Sequence, residues 1–95
     1  GKCELRILGP IELAGQFEWY ALTVQPGGTL ASQAHEPGSR EHLSVQTGAL
    51  DVRAGSETAR LRHGETARYA VDVAHSIHNP GRSAAQALLV VLHPS

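Results

Sequence analysis

The chain has 95 residues, 41% of them hydrophobic and 18% charged, with a formal net charge of -1. That length closes one core and no more, and the charge leaves no excess of Lys and Arg to neutralise phosphates, which makes this segment by itself a poor candidate for nucleic-acid binding. No apolar run is long enough to cross a bilayer, so no membrane role is expected, and the lone Cys3, read as a small strand residue, fits a reducing, cytoplasmic setting.

Apolar residues recur with a spacing of two nearly throughout, in short runs separated by Gly, Pro, Ser and Asp, which predicts many β-strands and little helix. Glu4 to Leu8 reads as a first strand, ended by Gly9 and Pro10. Phe17 to Gln25 reads as a longer one, ended by Pro26, Gly27 and Gly28. Thr29 to His35 follows, then a turn through Pro37, Gly38 and Ser39. Glu41 to Gln46 alternates cleanly, with Glu41, Leu43 and Val45 on one face. Leu50, Val52 and Ala54 continue the alternation beyond Gly48, and the two strands are expected to form a tight hairpin there. Gly55, Ser56 and Gly64 mark further corners.

Thr66 to Val71, His75 to Asn79 and Ala84 to Leu92 complete the set. The last is apolar on both faces through Leu88, Leu89, Val90, Val91 and Leu92, which implies either a second layer inside the domain or a dimer interface on that sheet. Strands of this length and spacing predict an all-β sandwich or barrel. The chain starts at Gly1 and contains no methionine. It is read as one domain over 1–95, excised from a longer protein with sequence upstream.

Two stretches carry the chemistry. One runs from His35 through Glu36, Pro37, Gly38, Ser39, Arg40, Glu41 and His42 to Gly48; the other runs from Gly64 through Glu65, Tyr69, Ala70 and Asp72 to His75 and Asn79. They resemble the two motifs of the cupin superfamily, in the right order and over most of the chain. The resemblance implies a single cupin barrel, a double-stranded β-helix of jelly-roll type, with His35, Glu41 and His75 converging on a metal. Where the family often has two histidines one residue apart, this chain has a single His35 flanked by Gln33, Ala34 and Glu36. Ala70 replaces the usual proline of the second motif, and Asp72 a glycine.

Two imidazoles and one carboxylate make a three-point set with open positions that can hold Zn, Fe, Mn or Ni. The alternative is a vestigial pocket in which the three side chains only hydrogen-bond to one another. Tyr69, Gln33 and Trp19 are placed as ligand-contacting residues, with core packing the alternative for both aromatics and the favoured one for Trp19. His42, on the face opposite Glu41, and His63, His78 and His93 are read as solvated surface residues. No hydrolase-type triad and no phosphate-binding glycine loop is present.

A closer resemblance is to the C-terminal sensor domains of bacterial XRE-type helix-turn-helix regulators. It implies a ligand-sensing domain whose effector is a small amino acid or sulfur metabolite, in a homodimer that contacts DNA only through a domain outside this chain. The alternative is a stand-alone metal-dependent cupin enzyme, a dioxygenase or isomerase. A shortage of titratable partners on the expected inner face, with Tyr69 the only candidate acid or base, weighs against it.

Overall fold

The computed structural model describes residues 2–13 and 15–94, and the reading placed on Gly1 lies outside them. Among the described residues, nine strands form two antiparallel sheets. The larger has the order β1 (Cys3–Ile7), β2 (Phe17–Val24), β9 (Ala85–Leu92), β4 (Arg40–Thr47), β7 (Thr66–Ala70); the smaller has the order β3 (Thr29–Ser32), β8 (His75–His78), β5 (Leu50–Ala54), β6 (Glu57–Leu61). Among the described residues the only helical piece is one 3-10 turn over Ile11–Leu13.

The sheets face each other because period-two alternation makes one side of each strand apolar. Leu22 and Val24 of β2, Leu43 and Val45 of β4, and Ala85, Ala87, Leu89 and Val91 of β9 are buried on the inner face of the larger sheet. Leu50, Val52, Leu61 and Ile77 of the smaller sheet meet them, and one core results. On the outer face of β9, Leu88, Val90 and Leu92 are only half-buried, beside Ala21, Trp19 and Phe17 of β2.

The hairpin expected at Gly48 does not form. β4 pairs with β7 and β9, whereas β5 pairs with β6 and β8, so the chain at Gly48 turns a corner from one sheet into the other. The pairing register slips between Val45 and Thr47 just before this corner. Gly48 has φ +80, and a Cβ there would meet the Ala85 Cβ at 3.0 Å; both the backbone angle and the close approach require glycine. The tight hairpin lies one strand later, between β5 and β6 around Gly55 and Ser56.

Asn79, the last residue of the second motif, is 1% exposed. Its Nδ2 donates to the carbonyls of Val24 at 2.8 Å and Ser83 at 2.9 Å, and its Oδ1 accepts from Gly81 N at 2.8 Å. It therefore clasps the end of β2 to the loop before β9. Asp72, standing where the family pattern has a glycine, accepts from Gly38 N at 3.2 Å and ties the turns of the two motifs together.

Candidate metal centre and binding cavity

One row of cross-strand partners builds most of the site. Glu18 on β2 is paired with Val91 on β9, Val91 with Glu41 on β4, and Glu41 with Tyr69 on β7. His75 enters from the opposite sheet as the first residue of β8. The third strand ends at Ser32, earlier than expected, which leaves His35 in the following loop, where its N–H donates to the Val71 carbonyl at 2.8 Å. The metal-binding atoms that His35, Glu41 and His75 offer all lie within 4.8 Å of one another, and the rings of His35 and His75 meet edge-on with centroids 5.0 Å apart.

Hydrogen bonding orients two of the three. His75 Nδ1 lies 2.9 Å from the Val73 carbonyl, which can only accept, so Nδ1 carries a proton, and in the neutral ring Nε2 presents a lone pair. That Nε2 is buried without a hydrogen-bond partner among the described residues. Glu41 Oε1 accepts from the Tyr69 hydroxyl at 2.9 Å, and Oε2 faces His75 Nε2 at 3.4 Å. Burial first, and then the Glu41 charge and the hydrogen bond to it, push the Tyr69 phenol far above its ordinary range. Tyr69 is thus a fixed proton donor that orients Glu41, and not a base.

The site opens into a cavity of about 170 Å³. Its apolar walls include Leu30, Ile77, Leu89 and Val91, and a second polar group, Glu18, Tyr20 and His93, also lines it. Tyr20 donates to Glu18 Oε1 at 2.6 Å and His93 Nε2 lies 2.9 Å from Glu18 Oε2. The Tyr20 bond, supplemented by His93, holds the Glu18 carboxyl below the usual carboxylate range. The same bond pushes the Tyr20 phenol up to about 12.

Tyr69, expected to contact the ligand, reaches Glu41 but does not line this cavity, and three further sequence expectations need correction. Trp19 does not face the cavity: it lies on the opposite side of β2, stacked on Phe17 with ring centroids 5.2 Å apart. Gln33 does not line this cavity; it is exposed and lines an adjoining open groove with Ala31, Arg53, Ser76 and His75. His93 is not a solvated surface residue; it is half-buried, lines the cavity and pairs with Glu18. With Glu18, Tyr20 and His93 inside, the inner face is not short of titratable groups. Strand parity could have found them, because Glu18 and Tyr20 share the face of the buried Leu22 and Val24, and His93 continues the series Leu89, Val91. His42 and His78 do alternate away from Glu41 and His75, and His63 is exposed in its turn.

The cupin domain family model matches residues 20–91, a span that contains all three candidate ligands. The chain belongs to the cupin family. Over 65 residues, 68% of this chain and 36% of the relative, it is 37% identical to the HTH-type transcriptional regulator SutR of Escherichia coli. It is also 32% identical over 72 residues to the xanthan biosynthesis protein XanB of Xanthomonas campestris, covering 76% of this chain and 15% of that protein. This cupin chain thus spans well under half the length of either relative. Among solved structures, the Cupin_2 domain of an XRE family transcriptional regulator from Enterobacter cloacae superposes with a TM-score of 0.91 at 23% identity, covering 100% of both chains. No helix among the described residues is long and apolar enough to cross a membrane.

Proposed function

We propose that this chain is the effector-sensing cupin domain of a bacterial transcriptional regulator, with a divalent first-row metal held by His35, Glu41 and His75. The observation that carries the metal is the buried His75 Nε2, a lone pair with no donor, opposite a carboxylate oxygen at 3.4 Å. Two acceptors at that distance leave a burial cost that a cation between them removes. Donors about 2.1 Å from a tetrahedral ion sit about 3.4 Å apart, so the pair already has the spacing of two ligands of one ion. When bound, the metal supplies a Lewis-acid position for a carboxylate or thiolate of the effector.

The regulatory assignment is supported by the similarity to SutR. In this reading the effector, a small amino acid or sulfur metabolite, enters the cavity and biases a homodimer in the cytoplasm, and DNA is contacted by a domain outside this chain. A metal-dependent enzyme is the second reading. The hydrogen-bonded Glu18, Tyr20 and His93 favour it, since they put titratable groups within the same cavity as the metal ligands.

Elemental analysis of protein purified without chelator, together with a thermal-shift screen of small amino acids and thiols, tests the proposal. About one first-row ion per chain is expected, with stabilisation by at least one compound class that disappears after chelation. Metal-free protein that no compound stabilises would sink it. A helix-turn-helix sequence upstream in the native gene separates regulator from enzyme.

A further inference from the structure

We propose that Glu18, held between Tyr20 and His93, is an ammonium-recognising end of the cavity, and that the effector is a short aliphatic primary amine bearing a carboxylate or thiolate at its other end. The second half of this assignment rests on the metal reading of His35, Glu41 and His75, since the metal would take the carboxylate or thiolate.

Charge is the first reason. The described residues lining the cavity include two carboxylates, Glu18 and Glu41, and no Lys or Arg. Beyond the histidines and the Tyr20 hydroxyl, an anion there meets no fixed positive charge, whereas a cation finds Glu18 directly. The Glu18 carboxylate is also oriented in advance: each oxygen is engaged once, by Tyr20 at 2.6 Å and by His93 at 2.9 Å, and each keeps a lone pair for a further donor. A compact ammonium with three donors suits such an acceptor, and the half-buried setting strengthens the bond relative to water.

Spacing is the second reason. Glu18 and Glu41 are both paired with Val91, from its two sides, so their backbone positions are about 10 Å apart, two inter-strand steps. Val91 and Leu89 form an apolar floor between them. A ligand lying across Val91 therefore has a polar group at each end and a short aliphatic middle. The cavity, about 170 Å³ and partly open to solvent, has room for a molecule of a few non-hydrogen atoms across Val91.

Isothermal titration of the metal-loaded protein with two matched pairs tests this: cysteamine against mercaptoethanol, and β-alanine against β-hydroxypropionate, each pair differing only in ammonium or hydroxyl. Wild type is expected to prefer the ammonium member by about tenfold or more, and Glu18→Gln to bring the preference below about threefold. Binding of neither pair, equal binding within both pairs, or a preference that survives Glu18→Gln would each overturn the inference. Metal content measured on the same samples keeps the two readings apart: a preference that follows Glu18 in metal-free protein upholds the ammonium site while refuting the metal.

Discussion

His75 Nε2 and Glu41 Oε2 face each other at 3.4 Å inside the barrel, and no hydrogen bond joins them. The reason lies in what each group touches on its far side: Val73 holds the His75 proton on Nδ1, and Tyr69 occupies the other oxygen of Glu41. Both groups are thereby left with electron pairs directed into one place. His75→Ala removes one of the two facing donors, and its metal content is expected to fall below about a tenth of wild type. Elemental analysis of both proteins decides; an unchanged metal content in His75→Ala would displace the centre from these residues.

Tyr69 touches the candidate ion only through Glu41. Tyr69→Phe keeps the ring in the core but leaves Glu41 Oε1 without its donor, so the carboxylate can rotate and is less well oriented for a metal. The expected loss is about 10- to 100-fold in metal affinity, the usual effect of removing a group that hydrogen-bonds to a ligand. Competition titration against a chromophoric chelator measures it. A Tyr69→Phe protein that binds metal as tightly as wild type would reduce Tyr69 to packing.

Asn79 is conspicuous in the second motif, yet its three bonds go to Val24, Ser83 and Gly81, and none to the candidate ligands. Its role is therefore to join β2 to the loop before β9. Asn79→Ala would leave the buried Val24 carbonyl without this donor and free the part-buried Ser83 carbonyl and Gly81 N–H, and a loss of roughly 3 kcal/mol is expected. For a domain of this size that lowers the thermal midpoint by more than about 10 °C. Metal content per folded chain should be unchanged; a variant that stays at wild-type stability would contradict the clasp.

What the amino-acid pattern discloses and what it hides both follow from period-two alternation. Glu41, Leu43 and Val45 alternate without ambiguity, and the cupin-like spacing joins Glu41 to His35 and His75, so the triad is legible in the amino-acid sequence alone. Phe17-Glu18-Trp19-Tyr20 carries aromatic residues on both parities, and placing Trp19 in the pocket inverts the face. Only Leu22 and Val24 further along settle it. The sixth strand, Glu57–Leu61, gives no alternating signal because it is an edge strand with a single buried residue, Leu61. A glycine after an alternating run serves equally as a hairpin turn or as a corner between sheets, and what decides at Gly48 is Ala85, which is remote in sequence and only 3.0 Å from where a Cβ would sit.

The same contact makes Gly48→Ala informative. A methyl group at φ +80 is strained by about 1 to 2 kcal/mol, and the neighbouring Ala85 adds a steric clash with little room to relax. A net loss of about 2 kcal/mol is expected, read by denaturant unfolding with an unchanged slope. Ala85→Gly in the Gly48→Ala background should recover part of that loss, because it removes the nearest atom of the clash and leaves the Ala85 Cα at 3.1 Å and the backbone strain in place. No recovery would mean that the loss comes from the backbone angle and the Ala85 backbone rather than from its methyl group.

The bond between Tyr20 and Glu18 should give stability a two-sided pH dependence. Glu18 has its folded-state pKa lowered, chiefly by the Tyr20 hydrogen bond, so the folded protein binds this proton more weakly than the unfolded chain. The resulting stability is present above the ordinary carboxylate pKa and is lost as pH falls through the lowered value. Tyr20 is shifted the other way, from 10.0 up to about 12, so its contribution is complete below pH 10 and disappears as pH rises from there towards 12. Subtracting the unfolding free energy of Glu18→Gln from that of wild type cancels the titration of distant groups, including the Asp51–Arg60 pair. The difference should fall on the acid side below about pH 5 and on the alkaline side above about pH 10. A difference that stays level through the acid limb would show that Glu18 gains nothing from Tyr20 and His93, and would leave the cavity without an ionised carboxylate held in place to meet an ammonium group.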